Sequence, residues 1–138
     1  MIIACRSWST VARDTLVFHA DHTGGLRIIS ISDPENPAEI GQCPVGKVKD
    51  VAVRGNYVYT ATYDSAVQII DISDPSLPAK AASYNPGFNR TYRIIQHNDL
   101  AFVACYSNGL LVLDISDPLH PQEIGLYEIE KIFRIGCL

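Results

Sequence analysis

Apolar runs of six or seven residues recur along the whole chain, and short polar segments separate them. Residues 57–62 and 66–72 are typical, because they are rich in β-branched and aromatic side chains. Runs of this length and composition predict β-strands and not helices. Between paired runs lie residues 22–25, 63–66 and 106–109, where Gly and Asn permit the positive φ of a hairpin. The pattern predicts an all-β chain.

The sequence Ile-Ser-Asp-Pro occurs at residues 31–34, 72–75 and 115–118, and a second proline follows each copy three residues later. The copies begin at Ile31, Ile72 and Ile115, so the intervals are 41 and 43 residues. Around them, three longer segments align without a gap: residues 14–34, 55–75 and 98–118. A constant period in this range indicates a repeat architecture.

Each Ser-Asp-Pro copy is predicted to end a strand. The aspartate can accept hydrogen bonds from backbone amides ahead of it, and the proline fixes φ and removes a donor. We therefore assign a structural turn role to one set of residues: Asp33, Pro34, Asp74, Pro75, Asp117 and Pro118.

Two further strands complete each repeat. A more polar strand is predicted at residues 38–43, 79–84 and 122–127, and another at residues 48–53 and 91–95. Four strands in about 40 residues are the dimensions of a β-propeller blade. The predicted fold is thus a single all-β domain, residues 1–138, with three four-stranded antiparallel repeats of about 41–43 residues. The repeats are residues 14–54, 55–97 and 98–138, and a leading strand lies within residues 1–13.

Three blades do not easily close a propeller, since four to eight are usual. Apolar runs such as residues 69–72 and 110–113 are expected on the two exposed end faces. We expect the chain to self-associate, most simply as two chains that complete a six-bladed ring. The alternative is that the sequence is a fragment of a larger propeller whose other blades are missing.

Composition narrows the class of function. The chain has 138 residues, is 47% hydrophobic and carries a formal net charge of −4. That charge argues against a nucleic-acid partner, which needs a basic surface. No apolar run reaches the roughly 18 residues of a membrane span. Residues 1–5 are too short and lack the basic start of a signal peptide. None of the four cysteines forms a CxxC pair, so burial as small apolar side chains is favoured.

A candidate contact surface comes from one column of the repeat. His22, Tyr63 and Tyr106 precede the hairpins, and in a propeller these hairpins share a face with the loops that lead into the innermost strands. One of these loops contains Lys47; the other, residues 85–93, holds the two-residue insertion. Loops on one face often bind, and aromatic rings beside basic groups suit a contact. The candidate contact residues are His22, Tyr63, Tyr106, Lys47, Phe88, Arg90 and Arg93. The alternative is that the rings only cap the packing between blades.

No catalytic or metal-binding constellation stands out, and no cofactor is predicted. Asp71 and Asp114, expected in strand centres, follow the repeat, which favours a hydrogen-bonding role in a neighbouring turn over acid–base catalysis. His19 and His22 are three residues apart in a strand and so point to opposite faces, which disfavours a shared metal ion.

Residues 109–118 with Pro121, and residues 67–75 with Pro78, resemble the LVIVD-repeat signature. The first copy departs from it at Ser30, where the others carry aspartate. The resemblance implies a β-propeller of a kind found largely in bacterial and archaeal proteins, many of them secreted, periplasmic or at the cell surface. It implies no shared enzymatic activity and no catalytic residues.

The functional hypothesis is a non-enzymatic scaffold or binding module. Its partner would be a protein or another macromolecule on one propeller face. The alternative is part of a propeller enzyme with its site in the central channel. The polar residues that the strands and loops around that channel offer are Lys47, Lys49, Asp50, Arg90 and Arg93.

Overall fold

The structure is a computed structural model, and it describes residues 7–63, 67–85, 87, 90–106 and 108–128. Those residues form twelve strands and no helix. The strands are β1 (Ser7–Arg13), β2 (Leu16–Asp21), β3 (Gly25–Ser30), β4 (Ala38–Cys43), β5 (Val48–Arg54), β6 (Tyr57–Thr62), β7 (Val67–Asp71), β8 (Ala79–Tyr84), β9 (Thr91–His97), β10 (Leu100–Cys105), β11 (Gly109–Asp114) and β12 (Gln122–Tyr127).

The strands pair in chain order into three four-stranded antiparallel sheets. The first sheet contains β1–β4, the second β5–β8 and the third β9–β12. This confirms the predicted all-β fold of four-stranded, propeller-like repeats. The aligned segments of the sequence, residues 14–34, 55–75 and 98–118, each begin just before the second strand of a sheet. The first strand of each sheet therefore precedes its segment, and the predicted leading strand is β1 of the first sheet.

The first strand of each sheet contacts the first strand of the next, β1 with β5 and β5 with β9. We call β1, β5 and β9 the inner strands, and β4, β8 and β12 the outer strands.

Within the described part of the chain, no helix is long and apolar enough to cross a membrane.

Two hydrophobic layers hold the three sheets together. In the first layer, Phe18 and Ile28 of the first sheet pack with Val58 and Ile70 of the second. The second layer lies between the second and third sheets, and its fully buried members are Tyr59, Ala61, Val67, Ile69, Ala101, Val103, Leu111, Leu113 and Ile115. The second sheet is therefore buried on both faces. The expectation that residues 69–72 lie on an exposed end face is wrong, because Ile69 and Ile70 are each 0% exposed between two sheets.

Among the residues that the structure describes, none covers the second face of the third sheet, and we call this its uncovered face. Its column residues Phe102, Ala104, Leu110 and Val112 are half-buried or exposed. The residues that occupy the same columns in the first two sheets are fully buried: Phe18, Ala20, Leu26, Ile28, Tyr59, Ala61, Val67 and Ile69. The side chains in these columns are similar in all three sheets. The difference is that described residues of another sheet cover them in the first two sheets and not in the third. Of the run at residues 110–113, Leu111 and Leu113 face the second sheet, and the other two residues lie on the uncovered face.

Polar side chains also connect neighbouring sheets. Arg13 donates to the Gly55 carbonyl at 2.7 Å, and Arg54, its equivalent in the next repeat, donates to the Asp99 carboxylate and the Ile115 carbonyl. Each arginine thus ties the end of one inner strand to the following sheet.

The outer strands are tied by a tyrosine. Tyr84 of β8 donates its hydroxyl to Glu123 of β12 at 2.6 Å. Burial and this hydrogen bond raise the pKa of Tyr84 to about 12. The hydroxyl therefore keeps its proton, and this contact, throughout the neutral pH range.

The Ser-Asp-Pro segments form hydrogen-bonded turns. Asp33 accepts from the Glu35 amide at 3.2 Å, Asp74 from the Ser76 amide at 3.0 Å, and Asp117 from the Leu119 amide at 3.1 Å. These bonds are the ones expected of aspartates that initiate turns.

The repeated aspartates before these segments were expected in strand centres, and that placement is wrong. Asp71 and Asp114 are the last residues of β7 and β11. Each accepts a 2.8 Å hydrogen bond from the backbone amide two residues ahead. Hydrogen bonds from Ser73 and Ser116 lower the pKa of these two carboxyls.

A glycine on β4 permits close contact between the first two sheets. A Cβ at Gly41 would lie 2.2 Å from the Pro75 carbonyl oxygen, whereas one at Gly125, in the same repeat column, would lie no closer than 3.8 Å to any neighbour. We expect Gly41→Ala to lower the free energy of unfolding by about 1–3 kcal/mol through overpacking. Gly125→Ala is the matched control, with an effect within about 0.5 kcal/mol. Urea unfolding measures both, and equal stabilities would contradict the close packing.

The ion pair between Asp21 and Arg27 predicts an acid-sensitive contribution to stability. Burial raises the pKa of Asp21, but hydrogen bonds from Arg27, Thr23 and Gly24 outweigh it and hold the pKa at about 2. Because the folded-state pKa lies below the unfolded value, the contribution is present above about pH 4 and is lost as the pH falls to about 2.

We expect Asp21→Asn to lower the free energy of unfolding by about 1 kcal/mol at neutral pH, since the pair borders solvent. The difference from the unmodified chain should shrink between about pH 4 and pH 2. Urea unfolding at several pH values measures it, and Glu35→Gln, at an exposed turn of the same sheet, is the control. A difference that did not change with pH would rule out this titration.

Candidate functional site

Every inner strand carries a β-bulge at the same place in the repeat. Pairing skips Trp8 in β1, Lys49 in β5 and Tyr92 in β9, while the residues on either side remain paired. These three residues occupy one column of the 41- and 43-residue repeat. A bulge breaks the alternation of side chains and can turn consecutive residues toward the same region. The inner strands therefore present two adjacent columns of side chains together.

Aromatic rings and basic groups meet beside these bulges. The Lys49 Nζ lies 3.3 Å from the ring centroid of Trp8, 5.2 Å from that of Tyr63 and 5.5 Å from that of Tyr92. The Arg90 guanidinium lies 5.1 Å from the Tyr63 ring and 5.5 Å from the Tyr106 ring. These distances are within the range of cation–π attraction. We call this set the aromatic–basic cluster: Trp8, His22, Lys47, Lys49, Tyr63, Arg90, Tyr92 and Tyr106.

The structure brings together most of the contact residues predicted from the sequence. The Tyr63 amide donates to the Lys47 carbonyl at 2.9 Å, and the Tyr106 amide donates to the Arg90 carbonyl at 3.3 Å. Each hairpin therefore adjoins the loop that leads into an inner strand. The His22 ring lies 5.7 Å from the ring of Trp8, at the first-sheet side of the cluster.

The remaining two predicted contact residues differ in their placement. Arg93 lies on β9 next to the bulge and lines a cavity beside the cluster. Phe88 lies outside the described residues.

The cavity lies among the three inner strands and measures about 230 Å³. We call it the inner-strand cavity. Its lining consists of two repeat columns, the bulged residues and the residues that follow them: Trp8, Lys49, Tyr92, Ser9, Asp50 and Arg93. One carboxylate, two basic groups and two aromatic rings thus surround one small volume.

Asp50 connects all three inner strands. One carboxylate oxygen accepts from the Ser9 hydroxyl on β1 at 2.5 Å, and the other accepts from the Ile94 amide on β9 at 2.9 Å. Asp50 itself is on β5 and is only 9% exposed. The carboxylate therefore fixes the position of the strands that form the cavity wall.

The arrangement is better suited to holding a ligand than to proton transfer. Both oxygens of Asp50 are engaged in structural hydrogen bonds, and the Lys49 ammonium lies over aromatic rings. Across the described ranges, no group of three or more His, Cys, Asp or Glu side chains is placed to hold a metal ion. The two cysteines the structure describes, Cys43 and Cys105, are buried, and burial raises the pKa of both thiols.

Two members of the cluster were not singled out from the sequence. Trp8 and Tyr92 stand in the same repeat column as Lys49, which is visible in the alignment of the three repeats. Their column is chemically diverse, whereas core columns such as Ala20, Ala61 and Ala104 are uniform. That contrast is the signal that could have identified them.

Asp50 generates a prediction about stability. In Asp50→Ala the buried Ile94 amide loses its acceptor, which costs about 1–3 kcal/mol in the free energy of unfolding. Ser9→Ala removes one hydroxyl donor but leaves the Ile94 bond in place, so its cost should be smaller. Thermal unfolding followed by circular dichroism compares the two. If Ser9→Ala were the more damaging change, Asp50 would not be the hub of this network.

The repeat signature extends over most of the chain. Three consecutive segments match the LVIVD repeat: residues 16–45, 45–86 and 94–129. No curated protein matched the sequence.

Among solved structures, the chain is similar to the crystal structure of the computationally designed Ika8 protein, with a TM-score of 0.66 and 12% sequence identity. The match covers 85% of this chain and 35% of the designed one, so the chain spans about a third of the length of that protein. At this identity the likeness concerns the fold alone. The three repeat matches cover most of the residues, and each falls on one of the three sheets, so the chain belongs to the LVIVD-repeat family.

Proposed function

We propose that this chain is a binding module and that the aromatic–basic cluster is its contact surface. The partner is a protein or another macromolecule. The observation that carries the proposal is the convergence of hairpins and loops from all three sheets on one group of rings and cations.

Exposure of the cluster supports this proposal. Tyr106 is 64% exposed and Trp8 is 48% exposed, although both are large aromatic side chains. Their packing within the fold is therefore incomplete, unlike that of Phe18, which is fully buried. Aromatic and arginine side chains dominate the energy of many protein interfaces because they bury a large area at low entropic cost.

Aromatic rings of the surface contact one another. The Tyr92 ring lies 5.4 Å from that of Tyr106 and 6.4 Å from that of Tyr63. Side chains held in place before binding lose less conformational entropy when a partner docks. The cluster is thus suited to act as a pre-organised anchor.

Alanine substitutions test the contact surface. We expect Tyr63→Ala, Tyr106→Ala and Arg90→Ala each to weaken partner binding about tenfold or more. Proteins retained on the immobilised chain would be quantified for each variant. Tyr106 and Arg90 are exposed, so these two variants should keep the original melting temperature.

The matched control is Leu77→Ala. Leu77 is 74% exposed on a Ser-Asp-Pro turn, and its loss should leave retention unchanged. Retention that depended on Leu77 and not on the cluster would place the contact surface on the turns and overturn the proposal.

We also propose that the chain self-associates through the uncovered face of the third sheet. The occupant would be the first sheet of a second copy, on the face opposite the one that packs against its own second sheet. The support is the repeat itself, since each sheet uses equivalent columns to cover its neighbour. Phe102 and Leu110 stand in columns that are fully buried in the other two sheets.

Such a contact joins unlike faces of two chains, so it closes into a ring or continues as a filament. Two copies with three sheets each would supply the six blades of a ring, within the usual range. The competing proposal is that further sheets of a longer protein cover these faces.

Sedimentation velocity tests the self-association. We expect a discrete dimer, and we expect Leu110→Asp to shift it to monomer by placing a charge in the contact. Lys80→Asp, on the outer strand of the second sheet, is the control and should remain dimeric. A monomer at high concentration of the unmodified chain would contradict the proposal.

A further inference from the structure

We propose that the inner-strand cavity binds the carboxylate of a ligand whose attached body is small, flat and apolar. The inference deepens the proposed function, because the cavity shares Trp8, Lys49 and Tyr92 with the aromatic–basic cluster. It concerns the chemistry of the group that enters the cavity, and it is tested separately from partner retention.

The repeat provides the first argument. Core columns keep the same kind of residue in all three sheets, as in Phe18, Tyr59 and Phe102. At the cavity the same backbone position carries Trp8, Lys49 and Tyr92, and the next carries three further unlike residues. Packing alone would be satisfied by three similar residues around the inner strands. Structural hydrogen bonds account for Ser9 and Asp50, so the divergence that points beyond the fold is at Arg93 and in the bulged column.

Backbone geometry provides the second argument. All three inner strands are bulged at the cavity, which places two consecutive side chains from each strand at its wall. Bulges are enriched beside functional sites, where they redirect side chains. Here the same irregularity occurs in three sheets, and all three instances serve one cavity.

The charged side chains of the cavity wall indicate that the ligand carries a carboxylate. Arg93 lines the cavity, is exposed, and has no carboxylate within ion-pair distance among the residues that the structure describes. Its planar guanidinium can bind a carboxylate through two parallel hydrogen bonds. Lys49 adds a second positive charge at the same wall. Since Asp50 also lies in the wall, a monoanion is favoured over a phosphate dianion, which the Asp50 carboxylate would repel more strongly.

The volume of the cavity and the residues that line it indicate the size and shape of the group attached to the carboxylate. The volume of about 230 Å³ is below the range of about 300–1,000 Å³ for drug-sized ligands, so the ligand is small. The rings of Trp8 and Tyr92 line the cavity and offer apolar surface against which a flat aromatic body can pack. Benzoate combines a carboxylate with such a body and is the probe we choose.

Trp8 provides a site-specific signal, because it is the only tryptophan of the chain. Titration of the full chain with benzoate should change the Trp8 fluorescence with a dissociation constant on the order of 100 μM. Benzyl alcohol, which lacks the charge, should bind at least tenfold more weakly. Inorganic phosphate should also bind at least tenfold more weakly than benzoate.

Variants assign the interaction to Arg93. Arg93→Gln should weaken benzoate binding at least tenfold, and Arg93→Lys, which keeps the charge but not the fork, should give an intermediate loss. Lys80→Gln is the charge-matched control distant from the cavity lining and should bind as the unmodified chain does. Circular dichroism confirms that each variant is folded, which the exposure of Arg93 favours.

The carboxylate can come from a small acid or from the C-terminus of a polypeptide, and a peptide distinguishes these sources. A short peptide that ends in phenylalanine with a free carboxylate is compared with its amide. Tighter binding of the free-acid peptide than of benzoate assigns the cavity to a polypeptide C-terminus. Tighter binding of benzoate assigns it to a small acid.

Three outcomes would overturn the inference. They are no fluorescence change at 10 mM benzoate, equal binding by Arg93→Gln and the unmodified chain, and phosphate binding as tight as that of benzoate. None of them alters the retention measured for Tyr63→Ala, Tyr106→Ala and Arg90→Ala, so failure here remains distinct from failure of the proposed contact surface.

Discussion

Coverage of one sheet by the next is the constraint on which the structure depends. A four-stranded sheet with apolar residues on both faces cannot bury them alone, and burial of apolar area is the main stabilising term in folding. The second sheet satisfies the constraint on both sides, and Tyr59 and Ile70 on its opposite faces are fully buried. Within the described part of the chain, the third sheet is covered on one side. The apolar burial that stabilises the fold therefore occurs in the layers between sheets, and an isolated repeat would not be stable on its own.

Polar contacts fix how neighbouring sheets are aligned with one another, which the hydrophobic layers alone do not determine. Hydrophobic packing is not directional, so it tolerates sliding of one sheet over another. Arg13 and Arg54 join the ends of inner strands to the following sheet, and Asp50 joins the three inner strands near their other end. With both ends of the inner strands held, the bulges at Trp8, Lys49 and Tyr92 meet at one cavity. The site thus depends on the same contacts that fix the stacking.

The repeat separates structural positions from candidate functional ones. A residue that packs in every sheet experiences the same surroundings three times, so its column stays uniform, as at Ala20, Ala61 and Ala104. Side chains at the inner-strand cavity face one shared volume, so the three positions of a column can differ in role. Lys49 contributes charge there, while Trp8 contributes a ring. Chemical divergence within a uniform backbone position is therefore informative about function in a repeat protein.

The sequence by itself determined the strands, the turns and the number of sheets, because these depend on local hydrophobic pattern, on turn residues such as Asp74 and on the period of the repeat. The position of the hairpins within a repeat also predicts that Tyr63, Tyr106 and Arg90 share one surface, where the Arg90 guanidinium lies beside both rings. Only the tertiary structure decided which apolar runs are covered, since Ile69 and Leu110 look alike in sequence and differ in whether a sheet lies over them. The cavity also required it. A bulge shifts the pairing by one residue and redirects a side chain, and residues that are 41 and 43 positions apart meet only when the inner strands of three sheets are held side by side.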